Sequence, residues 1–348
     1  MAEKKSAYAQ AGVNIDVKMD AVGAIKQMVA STKTLNVIGG IGSFGGLHKV
    51  PPGKDLILVA SSDGVGTKLK VAAMMNKHDT VGQDLVNHCV NDILVQGAKP
   101  LFFMDYVGAS KIDGSTFQQI VSGLCKACKE NNMALLGGET AEMPGLYPAN
   151  EYDLVGTIVG TVSRRKLVTG QSIRAGDVII GLPSGGLQTN GYSLARRVFF
   201  DICQMSPQDK LPGTDQTVGD ALLAVHKSFL KPVGRLLDNN IKITGMAHIT
   251  GGGFQDNIPR VLPKAVTAEI DRTTWPVPTI FNFIERQGKV DHDEMYRVFN
   301  MGIGFVLIVP KTSLLRMKTV FKNVRQPWYQ IGVIRVRKPD WPQVIFSK

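Results

Sequence analysis

Short apolar runs alternate with longer amphipathic stretches through the first half of the chain. The apolar runs have the length of strands, at residues 56–62, 101–107, 134–138 and 152–163. The stretches between them have helical character, at residues 68–76, 81–97 and 115–131. Strands that alternate with helices in this way predict an α/β or α+β domain.

A second series of elements begins after a polar, basic stretch at residues 163–177. It opens with an apolar strand at 177–184 and again combines strands, glycine-rich loops and helices. We place a domain boundary near residue 168, which gives domains of residues 1–168 and 169–348. Two domains suit a chain of 348 residues, because a domain usually holds about 100 to 200 residues.

The composition is mixed rather than extreme, with 44% hydrophobic and 20% charged residues. That much apolar material is enough for a core, so a largely disordered chain is excluded. No apolar run approaches the roughly 18 residues needed to cross a bilayer, and the first residues, MAEKKSAYAQ, lack the apolar segment of a secretory signal. We expect a cytoplasmic protein without a membrane partner.

The net charge of +11 is concentrated near the carboxyl end. Residues 311–348 hold nine Lys or Arg and one acid, Asp340, for a net charge of +8. Basic residues interleaved with Trp328 and Tyr329 are compatible with nucleic-acid binding. The segment alternates like a packed strand and holds no recognition motif, which favours a solvated basic surface and no specific nucleic-acid partner.

The four cysteines are too few and too scattered to cross-link a chain of this length. Cys125 and Cys128 form a C-x-x-C pair, but no second pair lies at zinc-site spacing. The stretch around them predicts an amphipathic helix with both thiols at apolar positions. We therefore predict reduced thiols packed in the core, in preference to a redox or metal site.

Glycines cluster in places where a phosphate would need close approach of the backbone. The first cluster, NVIGGIGSFGGLHKV at residues 36–50, includes Gly42 and Gly45 as candidate nucleotide contacts. It is neither a Walker A loop nor a Rossmann fingerprint. A lid over a nucleotide and a plain mobile loop remain open alternatives for this segment.

The motif SDGVGTK at the end of the strand at 56–62 is more informative. An acid at a strand end, a glycine turn and a lysine suit a metal-bridged phosphate. Here Asp63 would hold Mg²⁺, and the turn and Lys68 would meet phosphate oxygens; the candidate contacts are Asp63, Gly64, Gly66, Thr67 and Lys68. The alternative is that Asp63 merely caps the following helix.

Further carboxylates in the first half are placed to join Asp63. Asp84, His88 and Asp92 fall at i, i+4 and i+8, so they share one stripe of a helix that either ligates a cation or faces solvent. Gly138 and Glu139 follow a short strand. We predict that Asp63, Asp92 and Glu139 converge on one Mg²⁺, since hard oxygen ligands suit Mg²⁺ and ATP.

The second half supplies loops with neutral donors that suit a phosphate monoester. The loop SGGLQTNGYSL leads from a strand into a helix, and its candidate substrate contacts are Ser184, Gly185, Gly186, Gln188, Thr189, Asn190 and Ser193. His248 precedes a triple glycine in which Gly251 and Gly252 are further candidates. The other histidines, His48, His78, His226 and His292, are interpreted as surface or structural residues.

Six motifs in order, over about 250 residues, resemble the phosphoribosylformylglycinamidine cyclo-ligases, or aminoimidazole ribonucleotide synthetases. They are SDGVGTK, CVNDILVQGAKPLFFMDY, LGGETAEMPGLY, LPSGGLQTNGYSL, HITGGGFQDNIPRVLP and FNMGIG. The resemblance implies the fifth step of purine synthesis. ATP activates the formyl oxygen of formylglycinamidine ribonucleotide, the amidine closes the imidazole ring, and ADP and phosphate are released.

The resemblance also implies an architecture and a distribution of roles. The sheet of an N-terminal α/β domain would pair with that of a second copy to build a barrel at a homodimer interface, and a mixed α/β domain would follow. Nucleotide and Mg²⁺ would lie on the side of Asp63, Lys68, Asp92 and Glu139. The loops at 184–193 and at His248 would hold the substrate.

We assign catalysis to His248, Lys68 and Asp92, with His248 as the hypothetical general base for the amidine proton. Two features depart from the family pattern. Family members commonly carry His at the position of Gln188, which can donate a hydrogen bond but cannot take up charge. The basic carboxyl-terminal segment is also outside the motif set.

Two classes of protein compete with this interpretation. Relatives within the same ATP-using superfamily are selenophosphate synthetase, thiamine monophosphate kinase and a hydrogenase maturation factor. The first would be expected to carry a reactive Cys near the amino terminus, yet no Cys precedes Cys89. A nucleic-acid-binding protein is the rival from another class, and steeply salt-dependent binding of random oligonucleotides would identify it.

Overall fold

The computed structural model describes residue 25 and residues 27–38, 47–48, 52 and 55–347. In its first part, two short strands, β1 (Val37–Ile38) and β2 (Leu47–His48), pair antiparallel. Four longer strands then form one sheet: β3 (Leu56–Gly64), β4 (Lys99–Ala109), β5 (Ala134–Glu142) and β6 (Tyr152–Ser163). Three helices accompany them: α1 (Lys68–Met75), α2 (Asp79–Leu94) and α3 (Gly114–Glu130).

The four-stranded sheet has the order β3-β6-β4-β5. Strand β6 is antiparallel to both β3 and β4, and β4 is parallel to β5. The carboxyl ends of β3, β4 and β5 therefore lie at the same end of the sheet. Helix α2 packs on β3, β6 and β4, and α3 packs on α2 and β5. Gly82 and Gly123 let these helices cross closely, because a Cβ on either would overlap the backbone of the other helix.

The opposite face of this sheet is uncovered in the described part of the chain. Leu58 is 62% exposed and Met104 is 42% exposed. Apolar side chains of this size are normally covered on at least one face of a sheet. The predicted pairing with a second copy would bury this face.

The second domain is built on a six-stranded sheet of order β12-β9-β11-β7-β10-β8. Its strands are β7 (Val178–Pro183), β8 (Gly245–His248), β9 (Val266–Ile270), β10 (Ile303–Val309), β11 (Tyr329–Val336) and β12 (Val344–Phe346). Its helices are α4 (Tyr192–Arg196), α5 (Val218–Leu222), α6 (Leu230–Asp238), α7 (Gly253–Asn257), α8 (Thr279–Gly288), α9 (His292–Val298) and α10 (Leu314–Asn323). Short 3₁₀ helices cover residues 164–166, 258–261 and 311–313, and a π-helix covers residues 197–202.

The core explains why strand β7 is apolar throughout rather than alternating. Ile180 and Leu182 face one cluster of buried side chains, while Ile179 faces the other, so both sides of the strand are covered. The larger cluster runs through both domains and includes residues from α1 to β12. The two domains therefore share a packed interface, and a site between them is held on two rigid supports.

The predicted two-domain α/β (α+β) fold is confirmed, and the predicted elements match the observed strands and helices of the first domain closely. The predicted boundary at residue 168 falls between the end of β6 and the start of β7.

Cys125 and Cys128 are free and buried on α3, as the apolar pattern indicated. Burial also raises the pKa of both thiols, which keeps them protonated.

The basic carboxyl-terminal segment consists of packed elements. Phe321 on α10 is fully buried, and β11 lies inside the sheet. Two lysines of the segment, Lys318 and Lys338, lie over the rings of Trp328 and Trp341, at 5.7 and 4.5 Å from the ring centres. No helix of the described residues is long and apolar enough to cross a membrane.

Candidate active site between the two domains

Two carboxylates of the first domain meet at the interdomain cleft. Asp63 lies near the carboxyl end of β3, and Asp92 lies on α2 beneath it. Both face His88: its Nε2 atom is 2.8 Å from Asp63 Oδ2 and 3.8 Å from Asp92 Oδ2. The side chains of Asp63 and Asp92 are 42% and 26% exposed, so a ligand in the cleft can reach both.

The surroundings of these carboxylates keep them ionised. Burial alone would raise the pKa of Asp63, but the hydrogen bond and charge of His88 and the backbone N–H of Gly64 hold it below its ordinary value. For Asp92 burial is again opposed, here mainly by the hydrogen bond and charge of His248, and the net effect lowers its pKa. Ser61 Oγ donates a further hydrogen bond to Asp92 Oδ2, at 3.0 Å.

Three imidazoles, His88, His226 and His248, link the carboxylates to the second domain. His88 Nδ1 is 2.7 Å from Thr189 Oγ1, and His248 Nδ1 is 2.8 Å from Asp92 Oδ1. His226 lies between these branches, with Nε2 3.0 Å from His248 Nε2 and Nδ1 3.3 Å from Thr189 Oγ1. The polar network therefore spans both domains.

The three rings differ in how readily they carry charge. Burial would lower the pKa of His88, but its hydrogen bond to Asp63 and the charges of Asp92 and Asp63 together raise it. Burial lowers the pKa of His248 despite its bond to Asp92. For His226 burial and the neighbouring histidines hold the pKa well below its ordinary value, so this ring is neutral.

His248 lies at the site, but its position disagrees with a role as general base. Its side chain is only 2% exposed. One ring nitrogen contacts Asp92 and the other contacts His226, so neither points into the cleft. A general base must be within hydrogen-bond reach of the proton that it removes. In this arrangement His248 supports Asp92 instead.

Lys68 is also placed differently from the prediction. Its side chain is fully buried, with Nζ 2.7 Å from Asp84 Oδ2. The amine also donates to the backbone carbonyls of Gln188 and Ala224 in the second domain, at 3.2 and 2.7 Å. Its hydrogen-bonding capacity is used inside the protein, so Lys68 joins the domains and does not point toward a phosphate. Asp84 is likewise fully buried, so of the predicted stripe only Asp92 is partly exposed, while His88 contacts both carboxylates and Asp84 accepts from the backbone N–H of His226.

Glu139 does not converge with Asp63 and Asp92 within the chain. Gly138 and Glu139 lie on β5, at the opposite edge of the sheet from β3, with β6 and β4 between them. At about 4.8 Å per strand, the backbones of Asp63 and Glu139 are roughly 14 Å apart. The predicted three-carboxylate metal site in one chain is therefore wrong. Among the described residues, a closer set of ligand atoms comes from His88, Asp92 and His248, all within 4.8 Å of one another.

The loop after β7 is partly internal and partly open to the cleft. Ser184 Oγ lies 2.9 Å from Gly186 O and 3.0 Å from Asn300 Oδ1, so this hydroxyl holds the loop together. Gln188 is buried, and its side-chain amide nitrogen is 2.8 Å from His226 Nε2. Gly185 is exposed, whereas Gly186 is buried with a φ of +139°, a backbone conformation that favours glycine. Gln188 cannot carry the charge that a His at this position could take up, but the imidazole of His226 lies beside it.

The open part of this loop faces the SDGVGTK turn. Ser193 Oγ is 3.3 Å from Thr67 Oγ1 across the cleft, and both residues are exposed. Gly66, beside Thr67, has a φ of +70° and open space where a side chain would be. Asn190 reaches toward Gly251, and Gly252 directly precedes α7. Gly42 and Gly45 lie outside the described residues.

His226 and Asn91 are residues of the network that the sequence motifs did not indicate. His226 follows α5 in a stretch without glycines or acids, so no local pattern marks it. Asn91 adjoins Asp92 in sequence, and its side chain contacts His226 Nε2 at 3.1 Å. An Asn directly before Asp92 was the available signal, whereas the position of His226 depends on contacts with Asp84 and Asn91, more than 100 residues away in sequence.

The chain matches two family models that together cover most of its length. One, described as AIR synthase related protein, N-terminal domain, matches residues 45–162. The other, AIR synthase related protein, C-terminal domain, matches residues 174–340. Both matched segments correspond to the sheets described above, and the linker between them contains the predicted boundary.

Similar curated proteins share one name. A phosphoribosylformylglycinamidine cyclo-ligase of Thermoanaerobacter sp. (strain X514) is 49% identical over 327 residues, 94% of this chain and 97% of that protein. The protein of the same name from Lawsonia intracellularis (strain PHE/MN1-00) is 46% identical over 346 residues, 99% of each chain.

Solved structures of lower identity share the fold. Thiamine-monophosphate kinase of Stenotrophomonas maltophilia K279a has a TM-score of 0.65 at 16% identity, over 93% of this chain and 95% of that one. Hydrogenase maturation protein HypE in complex with ATP has a TM-score of 0.67 at 16% identity, over 94% and 91%. At such identity these likenesses concern architecture alone. The family models and the close relatives show that the chain belongs to the AIR synthase family, the family that its sequence motifs resemble.

Proposed function

We propose that this protein catalyses ATP-dependent ring closure of formylglycinamidine ribonucleotide to 5-aminoimidazole ribonucleotide, with release of ADP and phosphate. The observation that carries the proposal is the interdomain cleft, where two ionised carboxylates of the first domain face the hydroxyls and glycine loops of the second. The names of the curated relatives support the same activity.

The reaction needs an activated oxygen and a nearby nitrogen. The formyl oxygen attacks the γ-phosphorus of ATP, and the bond between that phosphorus and the β–γ bridging oxygen breaks to release ADP. The amidine nitrogen then attacks the formyl carbon and loses a proton, while the carbon–oxygen bond breaks and phosphate leaves. Because both groups belong to one molecule, holding it folded contributes on the order of 7 to 11 kcal/mol.

Asp63 and Asp92 are the residues that we propose to hold Mg²⁺. Their oxygens are hard donors, their lowered pKa values keep them charged, and both reach the cleft. This donor set fits a hard divalent cation. When bound, Mg²⁺ would neutralise charge on the phosphates. Glu139 is a candidate nucleotide contact only, given its distance from the pair.

The substrate phosphate is proposed to bind between the two loops. Thr67 and Ser193 bring two hydroxyls together at an exposed position, and Asn190 lies beside the backbone of Gly251. Neutral donors and glycine backbone suit a phosphate monoester. Gly185 and Gly252 complete the proposed set on the second domain.

A cavity at the end of the sheet where β3, β4 and β5 finish is proposed to hold the nucleoside part of ATP. Its volume is about 380 Å³, and its lining includes Asn76 at the end of α1, Ala109 at the end of β4 and Tyr152 at the start of β6. Ligands in open α/β sheets bind beyond the carboxyl ends of strands. The volume suits a small organic ligand.

A homodimer in the cytoplasm is the proposed working form. The uncovered sheet face with Leu58 and Met104 suits a second copy, since two such faces would cover each other. The cytoplasmic assignment follows from the proposed use of ATP and a ribonucleotide. A nucleic-acid partner is not favoured, because the basic segment consists of packed elements of the second domain.

The test is product formation by the purified protein. With formylglycinamidine ribonucleotide, ATP and Mg²⁺, we expect one ADP and one aminoimidazole ribonucleotide for each substrate consumed, and loss of both products when Mg²⁺ is omitted. ADP release that requires thiamine monophosphate instead would point to the kinase relatives. ADP release without any aminoimidazole product would reject the proposed activity.

A further inference from the structure

His226 is a buried residue to which neither the motifs nor the proposed reaction assigns a role. It is 0% exposed and lies where the two domains meet. Its backbone is fixed from the first domain, because its N–H donates to Asp84 Oδ1 at 2.7 Å and its carbonyl accepts from Asn87 Nδ2 at 2.8 Å. The ring is therefore held in place before any ligand arrives.

Asn91 holds the ring of His226 from the side of the first domain. Asn91 Oδ1 accepts from the backbone N–H of Phe229 at 2.9 Å, and Asn91 Nδ2 donates to the carbonyl of Lys227 at 2.8 Å. These partners fix the orientation of the amide. The same Nδ2 lies 3.1 Å from His226 Nε2, and Gln188 Nε2 of the second domain lies 2.8 Å from that ring atom. The ring is therefore held by side chains of both domains.

Each nitrogen of His226 leads to one of the two carboxylates that face the cleft. Nε2 lies 3.0 Å from His248 Nε2, and the other nitrogen of His248 contacts Asp92. Nδ1 lies 3.3 Å from Thr189 Oγ1, which contacts His88, and His88 contacts Asp63. One ring thus supports both branches.

We propose that His226 is a positioning residue that sets the relative placement of Asp63 and Asp92 through these two branches. It does so from the second domain, so it also couples the docking of the domains to the geometry of the proposed cation ligands. Because the activity test measures ADP release, the inference rests on the proposed function in that test. Groups hydrogen-bonded directly to a metal ligand commonly change metal affinity or activity about 10- to 100-fold when altered, and His226 lies at least one contact further out, so its effect should be smaller.

Three substitutions separate the branches. His226→Asn keeps a polar group near the Nδ1 position, and so preserves the branch through Thr189. His226→Gln keeps one near the Nε2 position, and so preserves the branch through His248. His226→Phe keeps the ring shape and removes both. Thr244→Val is the matched control: Thr244 is also buried and precedes β8, but its hydroxyl contacts Asp177 and Ile308 outside the network.

The expected result is a graded change in the Mg²⁺ dependence of ADP release at saturating ATP and substrate. His226→Phe should raise the Mg²⁺ concentration for half-maximal rate by up to about 10-fold, the lower limit for a direct partner of a metal ligand. His226→Asn and His226→Gln should each give a smaller rise, and Thr244→Val should leave it unchanged. Wild-type Mg²⁺ dependence in all three His226 variants would overturn the proposal. Where His226→Phe does not fold, the two amide variants carry the comparison.

Nitrogen NMR of the wild-type protein and the variants gives a readout that does not require activity. His226→Asn should change mainly the ring chemical shifts of His248, and His226→Gln mainly those of His88. The same pattern of shifts in both variants would contradict the proposed arrangement. If the wild type releases no ADP with its substrate, the proposed function fails, while the NMR result still decides the role of His226.

Discussion

Asp63 and Asp92 show how single residues acquire their properties from the fold. Each accepts a hydrogen bond from a different histidine, and each has a lowered pKa as a result. The local motif indicated Asp63 because an acid followed by glycines is visible in a short window. The histidine partners are not visible there, since His248 is 156 residues from Asp92 in sequence.

At this scale the first prediction concerns Asp63. Asp63→Asn should lower kcat/KM at least about 100-fold, because the amide cannot replace the charge that the proposed cation requires. Asp153→Asn is the control, since Asp153 Oδ1 likewise accepts from the next backbone N–H but lies outside the cleft network. Steady-state ADP release measures both. Retained activity in Asp63→Asn would refute the ligand assignment.

The second prediction concerns Asp105 on β4, where burial raises the pKa to about 7. The folded state therefore binds more protons than the unfolded state between about pH 4 and pH 7, and stability falls as pH rises through that window. Asp105→Asn should exceed the wild type in stability by on the order of 1 to 3 kcal/mol at pH 8, with little gain at pH 4.

Urea unfolding at the two pH values measures this gap. The exposed Asp201→Asn substitution is the control and should shift stability by less than about 0.5 kcal/mol. A gain for Asp105→Asn that is equal at pH 4 and pH 8 would show that the carboxyl is not responsible.

At the scale of elements, α2 organises the molecule. Its buried residues contact the sheet of the first domain, while Asp84, Asn87 and Asn91 contact the segment that holds His226. The periodic pattern predicted this helix within a few residues. It could not predict burial of the polar stripe, because a stripe of polar side chains looks the same whether solvent or a second domain covers it.

The third prediction tests the placement of Lys68 at the start of α1, where it pairs with Asp84 of α2. Lys68→Met leaves Asp84 as an uncompensated buried charge and should cost about 3 to 5 kcal/mol of stability, with partial recovery on adding Asp84→Leu. Lys70→Met is the control, because its pair with Glu151 is part exposed and should contribute less than about 1 kcal/mol.

Denaturant unfolding distinguishes this structural role from a contact with phosphate. A Lys68→Met variant of wild-type stability with a strongly raised KM for ATP would show instead that the amine reaches the nucleotide. Sequence alone favoured that role, since a lysine after a glycine turn suits a phosphate. The deciding partner, Asp84, lies sixteen residues further along the chain, and its companion carbonyls lie in the other domain.

At the scale of the whole molecule, the uncovered face of the four-stranded sheet is the feature that a single chain leaves unexplained. The fourth prediction is that Leu58→Glu combined with Met104→Glu shifts the protein from dimer to monomer, because charges on that face would oppose its burial. Leu315→Glu, at a residue 77% exposed on α10, is the control and should leave the mass unchanged.

Analytical ultracentrifugation measures the oligomeric state of each variant. A wild type that remains monomeric at micromolar concentration would reject the pairing of the two sheets. The sequence motifs predicted the two-domain fold, and three residues that they indicated, Asp63, Asp92 and Ser193, lie at the cleft. They misplaced Glu139, because strand order depends on which strands pair, and the chain order of β3 to β6 does not reveal that β6 lies between β3 and β4.

The most direct test of the account follows one oxygen atom. Formylglycinamidine ribonucleotide labelled with ¹⁸O at the formyl group would be converted with ATP and Mg²⁺, and the products analysed by mass spectrometry. If the formyl oxygen attacks the γ-phosphorus within the interdomain cleft, one ¹⁸O atom appears in each inorganic phosphate. Label recovered in water, with none in phosphate, would contradict the proposed reaction.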